Sequence, residues 1–283
     1  YLVYGLSLLL LGAIVLARPA DTTEIPKSGD FWLIGLFGVL HGGKEWLFDW
    51  LIAHSKIAMA QDSGVVLHEF AASGETWLAP ALMIASYLPL FEFGRRHAVA
   101  WSGERPALRL VASPFIYLTI AGFVALLASL AEDPLAGVTA AGRYFLAFPG
   151  GVLTGIALLR AFPFRSPAIP VLGGAFIAYG VFGGLVMAPV QGLPNWLFCP
   201  QNFTEIVGLP VQVFRLSCAL AALIAFAIIF LKASRLSSAR LLAVSEENRR
   251  LAVELEQRVT ARTQELERER DLSAALFEAT PAI

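Results

Sequence analysis

Apolar segments recur down this chain at intervals of about one bilayer crossing, and they stop together at Leu231. Beyond that point charges come every second or third residue and leucines repeat at heptad-like spacing. A helix needs about 20 apolar residues to cross roughly 30 Å of hydrocarbon. By that measure the sequence predicts an all-α chain with seven spans, at 1–17, 31–53, 76–92, 109–131, 139–160, 168–189 and 208–231. Pro19, Pro26, Pro106, Pro134, Pro163 and Pro194 fall in the connectors, where helices end. Hydrophobic residues make up 57% of the chain and charged residues 15%, against about 25% charged in a soluble domain. The first segment, Tyr1 to Ala17, reads as a signal anchor. A net charge of −1 gives no footprint for nucleic acid. Cys199 and Cys218, the only cysteines, make no disulfide framework and match no metal motif.

The basic residues orient the bundle. Alternate connectors hold Arg18 and Lys27; Arg95, Arg96, Arg105 and Arg109; Arg160 and Arg165; and Lys232, Arg235 and Arg240. The other connectors, 54–75, 132–138 and 190–207, hold Lys56 alone. Basic residues concentrate on the cytoplasmic side, so the expected topology is N-terminus out and C-terminus in. The 190–207 connector is rich in Pro194, Asn195, Trp196, Phe198, Pro200, Asn202 and Phe203. It either folds back as a lid over the bundle or forms an interfacial aromatic belt.

The second segment carries the chemistry. His41, Glu45 and Asp49 lie at i, i+4 and i+8 and form one stripe on a helix, with Lys44 beside it. His41 falls near the midplane, and Glu45 and Asp49 climb towards the outer surface. Ionisable groups at such depth must face the bundle interior and find partners. Arg215 and Glu45 lie at matching depth, as do Arg143 and Asp49, so the expected pairs are Glu45–Arg215 and Asp49–Arg143, with Gln212 one turn from Arg215. Pro149-Gly150-Gly151 and Gly183-Gly184 allow kinks or close backbone approach.

Three readings of this cluster stay open: an ion-pair network that fixes helix register, a periplasm-facing pocket in which Arg215 or Arg143 grips an anionic or polar headgroup, and a redox cofactor. The cofactor would be a quinone, or haem b on His41, with His68 as second ligand if its connector folds inward. No metal site is expected otherwise. Retinal needs a lysine inside the last span, and Lys232 stands at its end. No GxxxxGK[ST], HExxH or GxSxG motif occurs, so no catalytic residue is expected within these residues. A transporter or channel subunit is the alternative of another class, although the paired broken helices of repeated halves are not evident.

From Leu236 to Leu272 there is neither Pro nor Gly. Leu241, Val244, Asn248, Leu251 and Leu255 follow the 3,4 spacing of a coiled-coil seam, and Asn248 at an inner position favours a parallel homodimer. Leu255, Val259, Arg262 and Leu266 continue the seam, and the consecutive fours at 251–255–259 form a stutter that unwinds it locally.

Arg258-Val259-Thr260-Ala261-Arg262-Thr263-Gln264-Glu265-Leu266 resembles the RVxxRTxEL signalling helix that joins membrane input domains to PAS domains in bacterial sensor proteins. The residues from Leu272 to Ile283 resemble the first helix of a PAS domain. His41-Gly42-Gly43-Lys44-Glu45-Trp46 resembles the HGxxEW element of some multi-span input domains of such proteins, and Pro210 to Arg215 looks like part of the same pattern. Copper-sensing MHYT domains lack a counterpart here, since their repeated motif is absent. The resemblance implies a seven-helix sensory domain at 1–231, a coiled-coil signalling helix at 232–273 and the start of a PAS domain at 274–283. It implies an output histidine kinase acting on a response regulator, or alternatively a diguanylate cyclase or phosphodiesterase. The expected partners are the lipid bilayer and a second copy of the chain.

Overall fold

The structure is a computed structural model that describes residues 2–17, 28–60, 65–102, 109, 113–161, 166–188, 190, 191 and 199–279. Side chains at 28, 48–60, 65–77, 79, 100–102, 161 and 274–279 are outside the description. Every regular element among these residues is helical. In chain order they are α1 (Leu2–Leu16), α2 (Phe31–Ala60), α3 (Val65–Ser102), α4 (Ile116–Leu130), α5 (Pro134–Gly142), α6 (Phe148–Ala161), α7 (Ala168–Gly180), α8 (Pro200–Val207) and α9 (Val211–Ala279). A short 3₁₀ turn, Ser28–Asp30, leads into α2. π-helical turns at Arg143–Ala147 and Val181–Leu185 follow α5 and α7.

A helix stands on each of the seven apolar segments, but length and apolarity together single out three candidate membrane spans: Pro134–Arg160, Ala168–Leu185 and Val211–Ser273. The apolar helices α1 and α4 have 15 residues each, short of the ~20 that a crossing needs. The described side chains of α2 end at Leu47, and those of α3 begin at Leu78. Helices therefore occupy the seven predicted segments, but the described residues support three membrane spans and not the expected seven.

The chain divides into two compact units, Tyr1–Leu231 and Lys232–Ile283. In the first, lipid and protein interior are about equally apolar, so packing rests on close backbone approach rather than on the hydrophobic effect. Glycines make that approach. A Cβ on Gly38 of α2 would stand 2.7 Å from the Leu8 carbonyl oxygen of α1, and one on Gly42 would stand 2.6 Å from that of Gly5. Gly151 of α6 meets Gly180 of α7 in the same way, and Gly155 meets the Gly173 carbonyl. α3 joins this layer where Thr154 of α6 donates to the Leu90 carbonyl at 2.9 Å. The core between these helices holds Leu8, Leu11, Ile34, Phe37, Tyr87, Leu90, Phe93, Leu172 and Phe226.

The two π turns have local causes. Pro149 has no N–H, and its ring would crowd the carbonyl four residues back. The chain widens instead, and the Phe148 N–H bonds to the Arg143 carbonyl, five residues back. After Gly183-Gly184 the second π turn runs out into extended backbone at Val186 (φ −87°, ψ 106°). α7 therefore ends with carbonyls that have no donor within the helix.

The second unit is the continuation of α9. Its apolar seam positions, Leu241, Val244, Leu251, Leu255, Val259 and Leu266, are 51–69% exposed in the single chain. Asn248 is exposed too. Ion pairs such as Glu254–Arg258 and Arg262–Glu265 run along the helix surface, where each contributes about 0.5 kcal/mol or less.

Candidate functional site

His41 and Glu45, the described part of the stripe on α2, face inward as their spacing predicts. His41 is 2% exposed and boxed by aromatic rings: Phe37 stacks on it at 5.4 Å between centroids, Tyr87 lies at 4.8 Å, and Tyr4 and Tyr179 meet it edge-on at 6.2 and 6.1 Å. Four elements, α1, α2, α3 and α7, contribute to this box. The Tyr4 and Tyr179 hydroxyls are 2.8 Å apart, which ties α1 to α7.

The hydrogen bonds fix the imidazole's tautomer. Ser86 Oγ donates its one proton to the Met83 carbonyl at 2.7 Å. It can then only accept from His41 Nδ1, 2.9 Å away, so Nδ1 carries the proton. His41 Nε2 faces Glu45 Oε1 at 3.7 Å. In the neutral imidazole these are two acceptors, so a close bond between them requires an extra proton. Glu45 takes its main partner elsewhere, from Lys44 Nζ at 2.6 Å.

The expected Glu45–Arg215 pair does not form. Arg215 Nε donates to the Phe182 carbonyl at 2.9 Å and Nη2 to that of Val186 at 2.6 Å. Arg143 Nη1 donates to the Gly183 carbonyl at 3.1 Å. The two guanidinium groups close the end of α7, supplying donors to its orphan carbonyls and positive charge to the negative end of its dipole. Depth matching weighed only charge against charge, whereas a guanidinium fork has five N–H groups and takes carbonyls equally well. Gly183-Gly184 followed by Pro189 is the sequence signal for a helix that ends at this depth and needs such donors. The Asp49 side chain lies outside the described residues, and with it the expected Asp49–Arg143 pair. Among the described residues Arg143 Nε is buried without a hydrogen-bond partner.

Gln212 lies one turn before Arg215 on α9, and both line a cavity of about 210 Å³ with Val3, Tyr4, Val213 and Leu216. Sequence reasoning missed Tyr4, Tyr87, Tyr179 and Ser86; a buried histidine next to a run of apolar helices called for hydroxyl partners, but nothing in the spacing chose among them. Of the 190–207 connector, 192–198 lie outside the description. Phe203 of α8 packs edge-on against Phe182 and Phe214, at 6.0 and 5.4 Å. That part of the connector folds onto the bundle beside Arg215.

His41 fits haem poorly. Its Nδ1 is taken by Ser86, its Nε2 points at Glu45, and aromatic rings surround the rest, so neither nitrogen has an open axial position. The side chain of His68, the expected second ligand, lies outside the described residues. Among the described residues no three metal-binding side chains come together.

A second polar cluster joins the opposite ends of α2, α3 and α4. Glu92 accepts from Arg95 at 2.6 and 2.8 Å, from Arg96 at 2.7 Å and from the Tyr117 hydroxyl at 2.6 Å. Arg96 also bonds Asp30 at 2.6 Å. The hydrogen bonds that Arg96 donates to Glu92 and Asp30 push its guanidinium still further above its usual range. These groups satisfy one another and hold the helix ends in register.

Comparison with protein families, with curated proteins and with solved structures finds no match to this chain.

Proposed function

We propose that this chain is the sensory input region of a bacterial signalling protein. In this reading seven helices form an inner-membrane bundle with the N-terminus outside and the C-terminus in the cytoplasm. The Lys232–Ile283 unit pairs with that of a second copy as a parallel coiled coil and leads into a PAS domain. The output beyond it is a histidine kinase acting on a response regulator, or a cyclic-dinucleotide enzyme.

The observation that carries the reading is that Arg215, which fastens α9 to the end of α7, stands on the same unbroken helix as the exposed heptad seam. A stimulus that competes for Arg215 loosens α9 from α7 and so acts on the helix that bears the seam. The exposed leucines at 241, 251, 255 and 266 support a partner helix, because a single charged helix of this length gains nothing from a bare apolar stripe. The basic connectors support the orientation.

The test is an electron–electron distance measurement on the chain in lipid nanodiscs, spin-labelled at Leu251→Cys with Cys199 and Cys218 replaced by alanine. Two copies side by side give a narrow short distance, and Arg215→Gln shifts or broadens it. A label with no neighbouring copy, or a distribution indifferent to Arg215→Gln, would end the sensory reading.

A further inference from the structure

We infer that the cavity between α1 and α9 is a binding site for an amphiphile with an anionic head, a carboxylate or a phosphate, that enters sideways from the acyl chains of the bilayer. It would be the stimulus site of the sensory reading above, and rests on that reading for its consequence though not for its chemistry.

The cavity has one charged wall and an apolar mouth. Arg215 spends Nε and Nη2 on the Phe182 and Val186 carbonyls. Its Nη1 makes no hydrogen bond among the described residues, and the side chain lines the cavity. Tyr4 lines the cavity from α1, and its hydroxyl is bonded to that of Tyr179. Val3, Val213 and Leu216 make the remaining lining apolar, beside Gln212.

Val3 and Val213 are also 58% and 43% exposed, so the cavity reaches the surface between them. The surrounding surface is apolar: Leu2 and Leu6 on α1, Leu209 and Leu220 around α9. In a membrane that mouth opens on acyl chains rather than on water. Arg215 is four residues into α9, about 6 Å below its start at 1.5 Å per residue. That is the depth at which the polar head of an amphiphile passes into its chain. A cavity of about 210 Å³ takes a head and its first few carbons, and leaves the rest of the chain in the lipid.

Charge favours an anion. The described side chains of the cluster bring three cations, Lys44, Arg143 and Arg215, against the single carboxylate of Glu45. Glu45 is engaged by Lys44. Neither arginine forms an ion pair with a described carboxylate; carbonyl oxygens take the donors that are used. A carboxylate or phosphate oxygen at Nη1 pairs with a guanidinium that meets no described carboxylate, without displacing those carbonyls.

The experiment uses the full chain in phosphatidylcholine vesicles carrying, in separate samples, spin-labelled stearate, spin-labelled phosphatidylglycerol or spin-labelled methyl stearate. Electron paramagnetic resonance reads the immobilised fraction. A charge-assisted contact of this kind supports a preference of about tenfold or more for an anionic probe over the ester. Arg215→Gln removes that preference. Val3→Trp, which fills the mouth and leaves the bonds of Arg215 intact, removes it as well, so a folding defect in the first variant cannot decide the matter. Preference for stearate identifies a free carboxylate as the ligand, and preference for phosphatidylglycerol identifies a lipid headgroup. Equal immobilisation of all three probes, or a preference that survives Val3→Trp, overturns the site.

The same vesicles separate the two proposals. If the preferred probe binds and the Leu251→Cys distances stay fixed, the site stands and the sensory reading falls. If no anionic probe is preferred and Arg215→Gln still shifts those distances, the sensory reading stands and this ligand falls.

Discussion

Arg215 Nη2 and the carbonyl oxygen of Val186 are 2.6 Å apart, across 29 positions of sequence. With the bond from Nε to Phe182, this contact makes one side chain of α9 the cap of α7. A helix end buried from water must have its last carbonyls met by protein. Here they are met from the helix that goes on to carry the heptad seam.

Arg215→Lys should therefore be no conservative change. An ammonium cannot reproduce the fork that spans two carbonyls. We expect a loss of about 1–3 kcal/mol, read as a lower apparent Tm in mild detergent, with Arg215→Ala lower still. A lysine variant as stable as the parent would mean that the two carbonyls find other donors.

The His41–Ser86 bond is testable by a double-mutant cycle. Ser86→Ala leaves the His41 Nδ1–H buried without an acceptor and should cost about 1–3 kcal/mol. Removing both groups in Ser86→Ala/His41→Phe should cost less than the sum of the single changes, since no unmet donor remains. Additive losses would show that the two residues do not interact.

An ultraviolet–visible spectrum of the purified protein, before and after dithionite, should show no Soret band. Both imidazole nitrogens already face protein groups, Ser86 and Glu45. A band that sharpens on reduction and disappears in His41→Ala would require the aromatic box to open around a porphyrin.

Glycine substitutions should divide by what a Cβ would strike. Gly38→Leu drives a side chain into the Leu8 carbonyl and the Gly12 backbone, and should cost about 1–3 kcal/mol or prevent folding. Gly43 and Gly174 have open space around the same atom, so Gly43→Ala and Gly174→Ala should leave Tm unchanged or slightly raised. Expression level and melting in detergent check the contrast.

Much of this architecture was legible in the residues. The apolar segments located the helices, and the burial of His41 followed from the cost of a polar stripe in lipid. The partners of the arginines were not legible. They depend on where α7 ends, and that follows from a π turn and a glycine pair whose effect shows only once α5, α6 and α7 are packed. The lengths of α2 and α3 also escaped prediction, because their helical backbone runs on at Ala60 and Val65 past the segments that apolarity marks. The helix through Asn248 and the leucines around it was legible for the opposite reason: a run of helix formers without Pro or Gly is a purely local signal.

A π turn holds one more residue than the α-helix around it would need, and the bundle contains two such surpluses, at Arg143–Ala147 and Val181–Leu185. Reabsorbing one would turn the rest of its helix by about 100°, the angle of a single residue at 3.6 per turn. The bond from Arg143 to the Gly183 carbonyl starts in one surplus and ends in the other. Slack in either helix is thus held by the slack in its neighbour, and neither can be wound in while that bond is made.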